Sequence, residues 1–242
     1  MSLMGYVLTA LALLSGEAAA GPCERVEFDG APFTVCRAAP GSDVRLFLDA
    51  PDGTLLGGFD PVDARLAGEG KRLAAAMNGG MYHRDRSPVG LYLERGDQRM
   101  GLVTGDGPGN FGLLPNGVLC ISEGFSIHES RAYEREAPDC RYATQSGPML
   151  VIDGALHPRF KEGSDSLHLR NGAGIGPDGS LLLAISDVPV NFHHFARLFR
   201  DGLGARDALF LDGKVSRLHA PGIGRSDIGL PLGPILGIVE PL

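Results

Sequence analysis

Apolar residues come along this chain in short runs, each broken by Gly, Pro, Asp or Asn, and seldom at helical spacing. Val26-Glu27-Phe28 and Phe33-Thr34-Val35-Cys36 read as a hairpin around Asp29-Gly30-Ala31-Pro32. Residues 44–48 and 55–59 predict a second strand pair around Ala50-Pro51-Asp52-Gly53. Asp60 reads as the cap of a helix over residues 60–76, with Pro61 at its first position and Val62, Leu66 and Leu73 on its buried face. From Val89 onward the pattern is strand, Asp-Gly or Asn-Gly turn, strand. One helix interrupts it: Phe192, Phe195, Leu198, Phe199 and Leu203 share a face, Asn191 serves as N-cap, and Gly202 or Gly204 ends it. No repeat, linker or low-complexity tract occurs. The pattern predicts an α+β fold, a single mixed domain over residues 21–242 built of many short strands with a few helices.

The first twenty residues stand apart. Residues 3–14 are almost entirely apolar, too short to span a bilayer with margin, and Gly16-Glu17-Ala18-Ala19-Ala20 follows. This reads as a secretory signal peptide over residues 1–20, cut after Ala20, although no Lys or Arg precedes the apolar run. No later run approaches membrane length, so no stable membrane insertion is expected once the signal is removed. The expected location is periplasmic or secreted. Cysteine usage agrees, with Cys23, Cys36, Cys120 and Cys140 even in number and none in a C-x-x-C pair. Three pairings are open. Cys23–Cys36 and Cys120–Cys140 are favoured because each closes a short local loop between strand-like segments.

Composition narrows the partners. A formal net charge of -7 and the lack of any basic run exclude the clustered Lys and Arg that a nucleic-acid backbone requires. The 36 glycines, about twice the usual share, fit tight turns between short strands. Metal chemistry finds little support: His193 and His194 are adjacent, and His128-Glu129 lacks the second His of a zincin motif. Gly172-Ala173-Gly174-Ile175-Gly176 is followed by Pro177-Asp178-Gly179, where a dinucleotide fingerprint would open a helix. Ser146 lacks the flanking glycine of a hydrolase elbow.

What remains is a set of polar residues at the ends of apolar strands. Asp212 follows Ala208-Leu209-Phe210-Leu211, and Asp187 closes the run from Leu181 to Ser186. Arg170 and Asn171 flank a glycine turn where a guanidinium could fork onto phosphate oxygens, and Asn78 opens another. The plain alternative is that both aspartates end strands through Asx turns.

Four pieces resemble the phosphodiester glycosidase family in their order. They are Asn78-Gly79-Gly80-Met81-Tyr82, Ser146-Gly147-Pro148-Met149-Leu150 with Asp153-Gly154, Arg170-Asn171-Gly172 with Gly176, and Leu211-Asp212-Gly213. The resemblance covers residue 74 to the C-terminus and looks most like a bacterial exported branch. It implies the fold and a hydrolase of sugar-1-phosphate diesters acting on glycan or cell-envelope material, with no cofactor. Asp212 and Asp187 would be the catalytic carboxylates, as nucleophile or base and as stabiliser, in either order. Asn78, Gly79, Ser146, Gly147, Arg170 and Asn171 would bind substrate. Where many relatives continue with glycines and serines, this chain reads Lys214-Val215-Ser216-Arg217-Leu218, so Lys214 and Ser216 join the expected binding residues. Two other readings stay open: a non-catalytic glycan-binding envelope protein on the same fold, and a phosphodiesterase cutting the P–O bond with a bound metal.

Overall fold

The computed structural model describes residues 21–107, 109–213 and 215–242. The expected signal peptide and Lys214 lie outside the described residues. Strands dominate, in three sheets with three short helices, as the α+β reading expects.

The largest sheet has seven strands, all neighbours antiparallel. Its order is β1 (Cys23–Phe28), β2 (Ala31–Ala38), β13 (Leu181–Ser186), β12 (Asn171–Ile175), β14 (Asp207–Asp212), β10 (Met149–Ile152) and β11 (Ala155–Leu156). A second sheet runs β16 (Arg225–Ser226), β15 (Leu218–Ala220), β4 (Lys71–Asn78), β17 (Ile235–Pro241), β3 (Val44–Phe47). The third runs β6 (Asp97–Met100), β5 (Tyr92–Glu94), β9 (Tyr142–Ser146), β7 (Gly117–Ile121), β8 (Phe125–Glu129). One core joins their inner faces, with Leu183 and Leu209 from the first, Met77 and Leu236 from the second, and Leu119 and Tyr142 from the third. Helix α3 (Phe192–Arg197) covers the outer face of the seven-stranded sheet through Phe195, with Phe199 just beyond its end. Helix α1 (Phe59–Ala67) does the same for the second sheet through Val62 and Leu66. The third helix, α2 (Ser130–Glu136), follows β8.

The β1–β2 hairpin forms as the sequence indicates, with Cys23 opposite Cys36 and bonded to it. Cys120–Cys140 is the second disulfide. Asn191 caps α3, its side chain accepting the His194 N–H at 2.9 Å, and a further turn to Gly202 ends that helical stretch. Two expectations fail. The helix over 60–76 stops at Ala67, because Lys71–Asn78 is a strand paired with both β17 and β15. Its alanine-rich run favours a helix locally, but six successive buried residues suit the centre of a sheet, and tertiary burial overrides propensity. Asp60 therefore lies inside the first turn, and Gly58 is the N-cap. The second strand pair is also incomplete: Leu55 makes a single bridge with Asp49, and Phe59 begins α1.

Candidate active site

The ends of four strands drawn from all three sheets meet at Asp212. The decisive local feature is a bulge in β14. Asn171 stands opposite Asp212 while Gly172 stands opposite Phe210, so β14 carries one extra residue, Leu211. A bulge interrupts the ladder and re-aims the side chain beside it. It also leaves backbone groups that need other partners once buried. The Leu211 carbonyl accepts from Ser146 Oγ at 3.0 Å, and the Asp212 N–H donates to Asn171 Oδ1 at 2.9 Å. Ser146 and Asn171, both wholly buried, thus repair the bulge that presents the carboxylate.

Asn78, at the end of β4, completes the cluster. Its Nδ2 donates to Asp212 Oδ2 at 3.2 Å and to the Val215 carbonyl, while its Oδ1 accepts the Arg217 N–H at 2.8 Å. Asn171 Nδ2 donates to the Asn78 carbonyl at 3.3 Å, tying the second sheet to the first. Ser216 Oγ donates to the Asp212 carbonyl at 2.9 Å and lies 3.2 Å from the Leu169 carbonyl. Gly79 lies flat on β17, its N–H donating to the Pro234 carbonyl and its carbonyl accepting from Thr144 Oγ1 at 2.7 Å. At Gly147 a Cβ would fall 1.8 Å from Asn116 Oδ1, so only glycine admits that side chain. Asn116 in turn donates to the Phe111 carbonyl at 2.7 Å.

Asp212 opens on a cavity of about 440 Å³ lined by Met81, Tyr82, His83, Val89, Phe111 and Val215, among others. The wall is largely apolar with a few convergent polar groups, the usual make-up of a small-molecule site. A cavity of similar size, near Arg45 and Arg141, contains none of the residues gathered at Asp212. Burial pushes the Tyr82 phenol above its usual range, and the nearby Asp212 carboxylate adds to the shift.

Two expected residues stand elsewhere. Arg170 is only 1% exposed. Its Nε donates to the Val190 carbonyl and its Nη2 to the Ser166 carbonyl, both at 2.8 Å, and its guanidinium lies 3.6 Å from the centre of the Phe192 ring. Burial lowers its pKa to about 10. Its donors serve the fold, and it does not line the cavity. Asp187 shares the sheet end with Asp212, but β12 lies between their strands, roughly 10 Å for two strand spacings. Its carboxylate accepts from Thr34 Oγ1 at 3.1 Å and pairs with Arg225, which also holds Asp227. Of the residues read from the sequence, Asn78, Ser146, Asn171, Asp212 and Ser216 are brought together, with Gly79 and Gly147 supporting them.

Residues 71–219 match the family described as phosphodiester glycosidase. The chain belongs to the phosphodiester glycosidase family. A relative within reach by sequence is the uncharacterized protein YigE of Escherichia coli (strain K12), 32% identical over 180 residues, which cover 74% of this chain and 70% of YigE. Among solved structures, the fold is similar to the catalytic domain of zebrafish N-acetylglucosamine-1-phosphodiester alpha-N-acetylglucosaminidase, auto-inhibited by its pro-peptide. The TM-score is 0.61 at 13% identity, over 89% of this chain and 81% of that one. A hypothetical protein from Synechocystis gives 0.57 at 15% identity over 91% and 61%. A putative exported protein from Burkholderia pseudomallei K96243 gives 0.52 at 14% over 86% and 74%. At these identities the likeness concerns the fold.

The family frame leaves several cavity residues that strand-end reasoning passed over. They are His83, Asn110 and Phe111, none of which ends an apolar strand. Phe111 is buried in a short 3-10 helix over Gly109–Gly112, and the glycines at 105, 107, 109 and 112 leave no apolar periodicity from which that burial could be read. Among the described residues, no group of three or more His, Cys, Asp or Glu side chains is placed to hold a metal ion.

Proposed function

We propose that this member of the phosphodiester glycosidase family is an exported hydrolase that frees the sugar from sugar-1-phosphate diesters of glycan or cell-envelope material. The observation that carries the reading is the Asp212 carboxylate, set at the mouth of a bulged strand, oriented by Asn78 and opening on the aromatic-walled cavity. A sugar ring lays its apolar face on Tyr82 and Phe111, and its anomeric carbon then faces Asp212. Asp212 removes the proton from an attacking water, or attacks first itself, as the C1–O bond opens. Phosphate is a good leaving group, so a second carboxylate acting as general acid is not required. Asp187, held by Arg225 and Thr34, takes no step in this scheme.

The test is release of free sugar from N-acetylglucosamine 1-(methyl phosphate) and a panel of other sugar-1-phosphodiesters. Asp212→Asn should lower the rate by about 100-fold or more, and equal rates would remove Asp212 from the reaction. Export is supported by the apolar run at residues 3–14 and by the two disulfides. Sequencing the exported protein should give Gly21 as its first residue, and an uncut N-terminus would argue against a cleaved signal.

One observation favours a second reading, a glycan-binding protein without turnover. A single carboxylate lines the cavity among the described residues, where two were expected. Saturable binding of a sugar phosphodiester with no sugar released would select it.

A further inference from the structure

The proposed reaction, on which this inference rests, leaves negative charge on a phosphate beside the Asp212 carboxylate. That charge needs a cationic donor. Arg170, expected to supply it, is buried and spent on the carbonyls of Val190 and Ser166. Among the described residues that line the cavity there is no other Arg or Lys, and the one side chain able to carry positive charge is His83. We propose that His83 is the second catalytic group of the site, holding the departing phosphate oxygen in the cavity it shares with Asp212.

The backbone around His83 is fixed at an open surface. Its N–H donates to the Ser87 carbonyl at 2.8 Å, and its carbonyl accepts the Arg86 N–H at 3.0 Å. Asp85 Oδ1 closes the same turn by accepting the Ser87 N–H at 3.0 Å and its hydroxyl at 2.6 Å. Tyr82, one residue earlier, bridges to Pro88, and its hydroxyl donates to the Pro231 carbonyl at 3.3 Å. The backbone is therefore pinned on both sides, while the exposed imidazole has no hydrogen-bond partner among the described residues. Tyr82, His83 and Asp212 all line the one cavity. The charged groups around the ring are Asp85 within the turn, Asp212 on the same cavity, and Arg86, stacked on Tyr82.

The step balances without any further reactant. Water oxygen bonds to C1 of the sugar and its proton passes to Asp212. The C1–O pair stays on the phosphate oxygen, whose added charge the His83 imidazolium stabilises through a charge-assisted hydrogen bond. Asp212 then returns its proton to solvent.

The experiment measures kcat/KM against pH for the full chain, His83→Gln and His83→Lys on N-acetylglucosamine 1-(methyl phosphate). Because the charged ring is the active form, the wild-type rate should fall as pH rises through the imidazole titration. His83→Gln should lower kcat/KM by about 100-fold and lose that alkaline limb. His83→Lys should recover most of the rate and carry it to higher pH. A Gln variant within about twofold of wild type, with the same profile, overturns the assignment. Should the wild type release no sugar from any diester, the hydrolase reading fails, and His83 is judged on binding alone. Adding N-acetylglucosamine 1-phosphate should then shift the imidazole signals that are absent in His83→Gln, and unmoved signals overturn the assignment.

Discussion

Asn171 holds Asp212 by the backbone: its side-chain oxygen accepts the Asp212 N–H at 2.9 Å, while its amide donates to the Asn78 carbonyl at 3.3 Å. One wholly buried side chain thus fixes where β14 ends and joins two sheets at the site. Asn171→Ala leaves a buried N–H and a buried carbonyl without partners, at a cost of about 1–3 kcal/mol. Urea unfolding should show that loss, and the rate on a sugar phosphodiester should fall with it. A variant equal to wild type in both would take the amide out of the scaffold.

Arg170 separates a structural from a substrate role. Arg170→Met removes a buried guanidinium, takes its donor from the Ser166 carbonyl and leaves the Val190 carbonyl with the His168 N–H at 3.2 Å. The expected loss is about 2–4 kcal/mol of stability. At a temperature where the variant is still folded, its KM for a phosphodiester should match wild type. A KM raised tenfold with unchanged stability would return Arg170 to the phosphate.

The disulfides close loops of 13 and 20 residues in sequence separation. Replacing either pair by alanines should cost about 2–4 kcal/mol, read as a lower denaturant midpoint. Reductant should reproduce the loss in wild type and leave the double-alanine variants less affected.

His157 makes the fold sensitive to acid. The buried ring donates from Nε2 to the Leu114 carbonyl at 2.9 Å and accepts the Arg159 N–H on Nδ1 at 3.2 Å, so both nitrogens are used by the neutral form. Burial holds its pKa below the ordinary 6.5. The unfolded chain therefore binds the proton more readily. The stabilisation is complete above about pH 6.5 and is lost as pH falls toward the folded value. Denaturant midpoints taken between about pH 7.5 and pH 5 should decline in wild type, and His157→Gln should flatten the slope.

Short-range grammar was readable where a pattern has one structural solution. The β1–β2 hairpin, the Asn191 cap and the strand ending at Asp212 are of this kind, because turn residues and local periodicity decide them. The order of the four motifs likewise pointed to the family. The helix over 60–76 failed because its length depended on pairing with β17, some 160 residues later in the chain. The pairing of Asp187 was not legible for a related reason: its partner Arg225 lies 38 residues away, and nothing local distinguishes a paired strand-end aspartate from an available one. Arg170 looked like a ligand contact because a buried arginine satisfied only by carbonyls and an aromatic face leaves no charge pattern to read.

Strand β12 has a consequence for how this site can diversify. Gly172 runs so close to its neighbours that a Cβ there would lie 2.7 Å from the Leu209 carbonyl and 3.2 Å from the Phe195 ring. Enlarging it would push on β14 and α3 together, and so on Asp212. The bed of the site is therefore closed to gradual change, since even one added methyl disturbs the end of the strand that carries Asp212. New specificities must arise in the 83–87 turn and the loop carrying Asn110 and Phe111, where several glycines have open space around them. Relatives with different substrates should differ there first and keep the glycine of β12 unchanged.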